Sequence, residues 1–445
     1  MPSDPLDHLP FGWGKKAIRF IFRIHNGATP QSGESDYWNG DINWLTPEDL
    51  GENDQKSISE SKRKITEAGY SSCAVSLAPA GSIAVSTRAP IGHIAKTTLP
   101  SCVNQGCRLL EPREGDSDFW YYACVAARET LISLGQGTTF MELPRQRLAA
   151  VKLPVPPTET QREIAAFLDL KTGQIDELIT RKRALLGKIS EKRRALISYA
   201  MTSGLDSQAE HRTTQTDWLN SIPRHWEVKK LKYVSHSMQT GPFGSQLHSG
   251  EYIDDGIPVI NPADIQDGEL IANPKNTVDE SVAERLSRHR LIEGDIIIGR
   301  RGEMGRAGLV HAENIGWLCG TGSLRARLNK EIVMPEFVLY QFSLAGVVDF
   351  LSLQSVGSTM DNLNTTILGN IPIAVPPLSE QQEVLNYLGS ACMKLDTQRS
   401  EVSQVIITLT EYRSSLISHA VTGQIDVSSA PIPDGPHPSD RVLEA

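Results

Sequence analysis

Apolar residues recur at helical spacing through two long stretches of this chain. After Pro157 a heptad-like stripe runs through Ile164, Leu168, Ile175, Leu178, Leu185, Ile189 and Leu196, interrupted at Lys171, Lys182 and Lys192. After Pro377 a cleaner one runs through Val384, Leu388, Ala391, Leu395, Val402, Val405, Leu409, Tyr412 and Leu416, broken at Gln398. Thr158 with Gln161, and Ser379 with Gln382, stand at capping-box spacing ahead of them. The pattern predicts two helices of roughly 44 residues, each about 65 Å long at 1.5 Å per residue. Such a helix is too long to pack entirely on one small domain, so each stripe needs a partner. A whole domain separates the two in sequence, which leaves room for the chain to reverse, and an antiparallel coiled coil is expected. Docking of each helix on a separate partner chain is the alternative.

Outside the helices the pattern is that of mixed globular domains. Ser82–Ser86 and Asp295–Gly299 read as strands, each following a glycine, and residues 336–350 read as helical. The predicted fold class is α+β: two pseudo-symmetric mixed α/β recognition domains joined by two long helices. The expected boundaries are a first domain over 1–155, a first helix over 156–203, a linker over 204–225, a second domain over 226–376, a second helix over 377–423 and a tail over 424–445. The linker is polar and aperiodic, and the tail carries Pro431, Pro433, Pro436 and Pro438, a composition that predicts disorder.

The two halves repeat each other. Val155-Pro156-Pro157 with Gln161 returns 220 residues later as Val375-Pro376-Pro377 with Gln381, and the register continues through Leu196/Leu416, Thr202/Thr422 and Asp206/Asp426. Near the start of each half the offset is 213, pairing Pro10 and Trp13 with Pro223 and Trp226, and Gly92 with Gly305. A tandem duplication with divergent contents implies one scaffold presenting two recognition surfaces, although drift after duplication leaves the same trace.

Composition narrows the function classes. A charged fraction of 22% and a hydrophobic fraction of 39% are those of a soluble globular protein, and Phe20-Ile21-Phe22, flanked by Arg19 and Arg23, is far too short to cross a bilayer. A cytoplasmic protein without membrane contact is expected. Six scattered cysteines form no CxxC pair, which argues for free thiols and no structural zinc. The net charge of −9 excludes a uniformly basic coat but leaves room for local basic surfaces. There is no GxxxxGK[ST], GxSxG or HExxH motif, so no catalytic site is expected.

Three loops offer contacts suited to DNA. Gly299-Arg300-Arg301-Gly302-Glu303-Met304-Gly305, with Arg306 beside it, follows a strand and supplies guanidiniums for phosphate or base edges. Its first-half equivalent contains Arg88, aligned with Arg301; surface ion pairing is the alternative role for both. Gly241-Pro242-Phe243-Gly244-Ser245-Gln246 frames Ser245 and Gln246 with glycines, and its altered counterpart is Gly27-Ala28-Thr29-Pro30. Thr138 and Thr139, and the matching Ser358 and Thr359, are hydroxyls beside a glycine, suited to phosphate contact or to helix capping. The basic run from Arg181 to Arg194 on the first helix fits DNA phosphates, an acidic partner face or plain solvation.

Together these features resemble the specificity subunits of Type I restriction-modification systems. The matching residues are Ile222-Pro223 with Trp226, Gly241-Pro242-Phe243-Gly244-Ser245, Val155-Pro156-Pro157 with Gln161, and Val375-Pro376-Pro377 with Glu380-Gln381. The resemblance implies a non-catalytic reader of a bipartite, asymmetric target in double-stranded DNA. It implies helices that act as a ruler and as a platform for two DNA-adenine methyltransferase subunits, which restriction subunits can join. S-adenosylmethionine, and ATP with Mg, then belong to those partners and no cofactor to this chain. A methylation-only system, a fused restriction-methylation system and a protein-binding scaffold remain alternatives.

Overall fold

The two apolar runs that follow a glycine, Ile83–Ser86 and Asp295–Gly299, are strands with every residue buried. The computed structural model describes residues 5–53, 55–137, 141–355 and 363–427, the side chains of Pro5, Ser245 and Ser355 excepted. The tail expected to be disordered therefore lies outside the described residues from 428 onward. Two units result, Met1–Arg183 with Gln404–Ala445, and Ala184–Ser403.

In the first unit β1 (Phe22–Asn26), β2 (Trp38–Leu45), β3 (Ile83–Ser86), β4 (Ile94–Thr97), β5 (Ser101–Val103) and β6 (Cys107–Pro112) form two sheets. The main sheet runs β1-β6-β3-β4 with antiparallel neighbours, and β2 pairs parallel with β5 beside it. Helix α1 (Ser117–Ala126) covers the core with four consecutive buried aromatics, Phe119 to Tyr122, and Asp116 caps it by accepting from the backbone N–H groups of Asp118 and Phe119. The chain then enters α2 (Thr158–Ser203).

The second unit follows the same plan. Here β7 (Ser235–Thr240), β8 (Ile257–Ile260), α3 (Glu280–Arg285), β9 (Asp295–Gly299), β10 (Ala307–Leu309), β11 (Leu318–Cys319) and β12 (Ser323–Leu328) give a main sheet ordered β7-β12-β9-β10, with β8 parallel to β11. Helix α4 (Pro335–Phe342) follows, and α5 (Leu378–Val421) ends the fold. The stretch 336–350 is thus broken between α4 and a second helix, Ala345–Ser355. Residues 204–225 are not a plain linker: His211–Thr213 pairs with Ser221–Pro223. Backbone pairing does not require apolar periodicity, so a polar ribbon escapes a pattern search. Among the described residues no single helix is long and apolar enough to cross a membrane.

The long helices have 46 and 44 residues. In the first unit Ile164, Leu168, Ile175 and Ile179 of α2 share a core with Leu416, Ile417, Ala420 and Val421 of α5. In the second, Ile197, Ala200 and Met201 of α2 share one with Val384, Leu388 and Cys392 of α5. The predicted stripe drifts off this seam, because Leu178, Leu185, Val405 and Tyr412 are exposed. A straight helix turns 3.6 residues per turn, so strict heptad stepping rotates away from the contact and Ile179, not Leu178, continues it.

Ion pairs fix how the helices meet. Arg413 donates to both carboxylate oxygens of Asp176 at 2.9 and 3.1 Å. Arg193 stands 3.6 Å from Asp396. These are the same pair under the 220-residue repeat, seventeen residues apart on each helix and in opposite order, so the helices run antiparallel. The Asp176–Arg413 pair is partly exposed, and its coupling in a double-mutant cycle is expected to be about 1 kcal/mol, with the charge-exchanged double variant recovering the loss of either single exchange. Thermal unfolding of the four proteins measures it, and additive losses would show the pair to be idle.

The repeated prolines and glutamines are structural. Val155 and Val375 pair with Gly14 and Glu227, tying the end of each domain to its beginning. Gln161, expected to complete a capping box, is buried instead: its amide donates to the Pro156 carbonyl and its carbonyl accepts from the Asp116 N–H, both at 2.9 Å. Gln381 repeats this, donating to the carbonyls of Pro376 (2.8 Å) and Ile332 (3.0 Å) and accepting from the Met334 N–H (2.8 Å). The Pro-x-x-Trp segments receive the helix ends. Gly204 and Gly423, both at φ +70°, close α2 and α5, and a Cβ there would meet Trp226 at 3.1 Å and Pro10 at 2.4 Å respectively.

Candidate nucleic-acid interface

At one end of the main sheet in each unit three connections converge. In the second unit Thr240 and Gly299, the last residues of β7 and β9, pair with Leu324 and Ser323 at the start of β12. The loops after β7 and β9 and the turn before β12 therefore leave the sheet together. Gly241 N–H donates to the Ser323 carbonyl at 3.0 Å and Arg300 N–H to the Gly322 carbonyl at 2.9 Å. The first unit repeats this with Thr87 N–H on the Gly106 carbonyl at 2.7 Å.

Close backbone approach explains the glycine that opens each loop. A Cβ on Gly241 would lie 1.8 Å from the Gly320 carbonyl oxygen, and one on Gly27 would lie 1.7 Å from that of Asn104. The altered first-half loop thus keeps the one residue that the frame demands.

The candidate residues meet different fates on this frame. Arg301 is exposed, and no hydrogen bond or ion pair holds its side chain among the described residues. Arg300 is half-buried: its Nε donates to the Leu363 carbonyl at 2.9 Å, and burial and then Arg301 hold its pKa below the usual arginine value. Arg306 donates to Glu303 (2.6 Å) and to the Pro262 carbonyl (3.1 Å), which fixes the loop shut. Arg88 donates to Glu142 at 2.8 Å, so the ion-pair alternative holds for it, unlike Arg301. Gln246 ends a 3-10 turn, Gly244–Gln246, that also contains Ser245. Thr138, Thr139, Ser358 and Thr359 lie outside the described residues, but Leu143 and Leu363, which follow them, are bonded to Thr87 and Arg300.

Sequence reasoning missed a second basic group beside these loops. Arg285, on α3, donates to the Gln246 carbonyl at 2.8 Å and pairs with Glu251. Arg288 donates to Gln246 Oε1 at 2.8 Å and, through Nε, to His289 Nε2 at 3.0 Å. Arg325, buried on β12, donates to the carbonyls of Arg288 (2.9 Å) and Arg290 (3.0 Å) and to Gln239 Oε1 (2.9 Å). Burial, and then Arg288 and Arg325, push the His289 pKa down to about 4, so it is a neutral acceptor at pH 7. The available signal was the run Arg285-Leu286-Ser287-Arg288-His289-Arg290.

Among the described residues no cluster of His, Cys, Asp or Glu could hold a metal ion. An open cleft of about 330 Å³ lies at the opposite end of the second sheet, lined by His236, Asp295 and Arg327 among others. Of its acids, buried Asp295 is engaged by Arg327 through two 2.8 Å bonds, while Glu293 and Glu331 stand exposed at the rim.

Residues 10–186 and 223–402 both match the family model described as the Type I restriction modification DNA specificity domain. The chain belongs to this family. The two matches open at Pro10 and Pro223, the prolines that start the repeat. Among Type I relatives, the MjaIX specificity subunit of Methanocaldococcus jannaschii is 27% identical over 429 residues, covering 94% of this chain and 95% of that protein. The EcoBI specificity subunit of Escherichia coli is 23% identical over 332 residues, covering 73% and 70%. A solved structure, described as the structural basis underlying complex assembly and conformational transition of the type I R-M system, matches with a TM-score of 0.69 at 15% identity, over 94% of this chain and 100% of that one. That likeness shows a shared fold over 94% of this chain.

Proposed function

We propose that this chain is the non-catalytic DNA-reading subunit of a Type I restriction-modification complex, each unit contacting one half of a bipartite, asymmetric target. The observation that carries the reading is that one loop frame is built twice on the same backbone bonds with different contents: Thr87 stands where the second unit has Arg300, and the next residue, arginine in both, is paired with Glu142 as Arg88 but has no such partner among the described residues as Arg301. Two methyltransferase subunits, and restriction subunits with them, would dock through α2 and α5. Apolar side chains turned outward on these helices support that role, among them Met393 at 70% exposure and Tyr412 at 57%. The helices then set the gap between half-sites. S-adenosylmethionine, and ATP with Mg, would be held by the partners, and a cytoplasmic location follows from that assembly.

Co-purification with a cognate adenine methyltransferase, weighed by native mass spectrometry with and without target duplex, tests the assignment. Two methyltransferases per chain and sequence-dependent duplex binding are expected; a stable chain that binds neither would contradict it. Within the complex, Arg301→Ala is expected to weaken the second half-site by about 1–3 kcal/mol for a base contact. If Arg301 instead holds a phosphate, the slope of log K against log salt falls by about 1. Fluorescence anisotropy across a salt series separates these outcomes, and an unchanged affinity and slope would remove Arg301 from the interface.

A further inference from the structure

The basic group beside the loop of Gln246 has an arrangement that resting ion pairs do not require. Arg288 is exposed, yet its guanidinium is held in place at two points, by neutral His289 at Nε and by Gln246 Oε1 at Nη2. The turn carrying it is pinned from below by buried Arg325, which takes the carbonyls of Arg288 and Arg290. Neither hold is an acid: no carboxylate pairs with Arg288 among the described residues. Two of the five guanidinium N–H donors are used and three remain, in a fixed plane. Gln246 turns its carbonyl oxygen toward Arg288, and no acceptor meets its two amide N–H donors among the described residues. The guanidinium of the pair therefore presents donors only.

We infer that Arg288 and Gln246 form one reading element that recognises guanine in the major groove of the second half-site. Guanine there shows two acceptors, N7 and O6, and a planar guanidinium meets both at once. Adenine and cytosine place an amino donor on that edge, which faces N–H groups without an acceptor. Phosphate would also accept, but fixing both Arg288 and the Gln246 acceptor is not needed for a contact that tolerates any orientation. Among the described residues of the first unit no arginine is held in this way by a histidine ring and a glutamine side chain. Where β7 carries Gln239, β1 carries His25, bonded to Glu111 at 2.6 Å. The effect is therefore confined to one half of the target.

This inference rests on the DNA-reading function proposed above, and its test keeps the two apart. The probes are the assembled complex carrying wild-type chain, Arg288→Lys or Arg288→Ala, and duplexes in which each guanine of the second half-site is replaced in turn by 7-deazaguanine. For wild type, one 7-deazaguanine position is expected to weaken binding about ten- to hundredfold. Arg288→Lys keeps the charge but loses the bidentate edge, and it should lose most of that preference while the first half-site stays fully specified. Variants that keep the complete target preference, or that lose affinity equally for every sequence, would overturn the guanine contact and leave the DNA-reading function standing. Wild-type complex that binds without sequence preference would overturn both.

Discussion

Gln381→Leu is expected to destabilise the second unit by about 3–5 kcal/mol, a large loss for a near-isosteric change. Leucine fills much the same space, so little cavity opens. What changes is that the Met334 N–H and the carbonyls of Ile332 and Pro376 lose a partner in a position that water does not reach, since Gln381 is completely buried. Each buried group left unsatisfied costs about 1–3 kcal/mol. At the size of this unit the melting temperature should fall by roughly 10 °C. Gln161→Leu should act in the same direction on the first unit but less strongly, because Gln161 makes two such bonds where Gln381 makes three. Calorimetry of the two variants checks this, and a shift below about 2 °C for Gln381→Leu would show that the clamp does not hold the fold.

Gly241→Ala should disable the second half-site more completely than any single loss of charge. The added carbon would lie 1.8 Å from one carbonyl oxygen and 2.4 Å from its carbon, both main chain, so no rotamer relieves the overlap. The loop and the turn before β12 must part by more than 1 Å, at about 3 kcal/mol or more, and the bond from Gly241 N–H to Ser323 would go with them. Methylation directed by the variant complex should lose definition in the second half of its target and keep the first. Gly244→Ala is the control: its φ is +61°, but nothing lies within 4 Å of a Cβ there. Its cost is confined to the left-handed backbone, about 1–2 kcal/mol. Equal effects of the two substitutions would contradict the close-approach account.

The duplicated frame was legible in the sequence because it is written in residues with few substitutes. Pro-Pro ends a strand, Gly27 and Gly241 allow carbonyls to approach, and Trp13 and Trp226 each seat a helix end. The two long helices were legible for a similar reason, since apolar periodicity over more than forty residues has no other reading. Which residues face the partner helix was not, because heptad and 3.6-residue repeats diverge only after several turns, and Leu178 and Tyr412 fall on the wrong side of that divergence. Asp176/Asp396 and Arg193/Arg413 were visible at the 220-residue offset, but their pairing depends on helix direction. The site was less legible than the fold. Arg88 and Arg301 align, yet Arg88 is matched by Glu142, 54 residues away in sequence, and no local pattern records that. Arg288 differs from a solvated arginine only through His289, Gln246 and Arg325, which three separate segments bring together.

The central claim is that one chain reads two unlike half-sites. Mapping modified bases by single-molecule sequencing, in cells expressing a cognate adenine methyltransferase with and without this chain, tests it most directly. A bipartite motif of two different halves with a constant gap, present only when the chain is present, is the predicted result. An assembled complex whose methylation is unchanged by omitting the chain, or whose motif is a single continuous block, would contradict it.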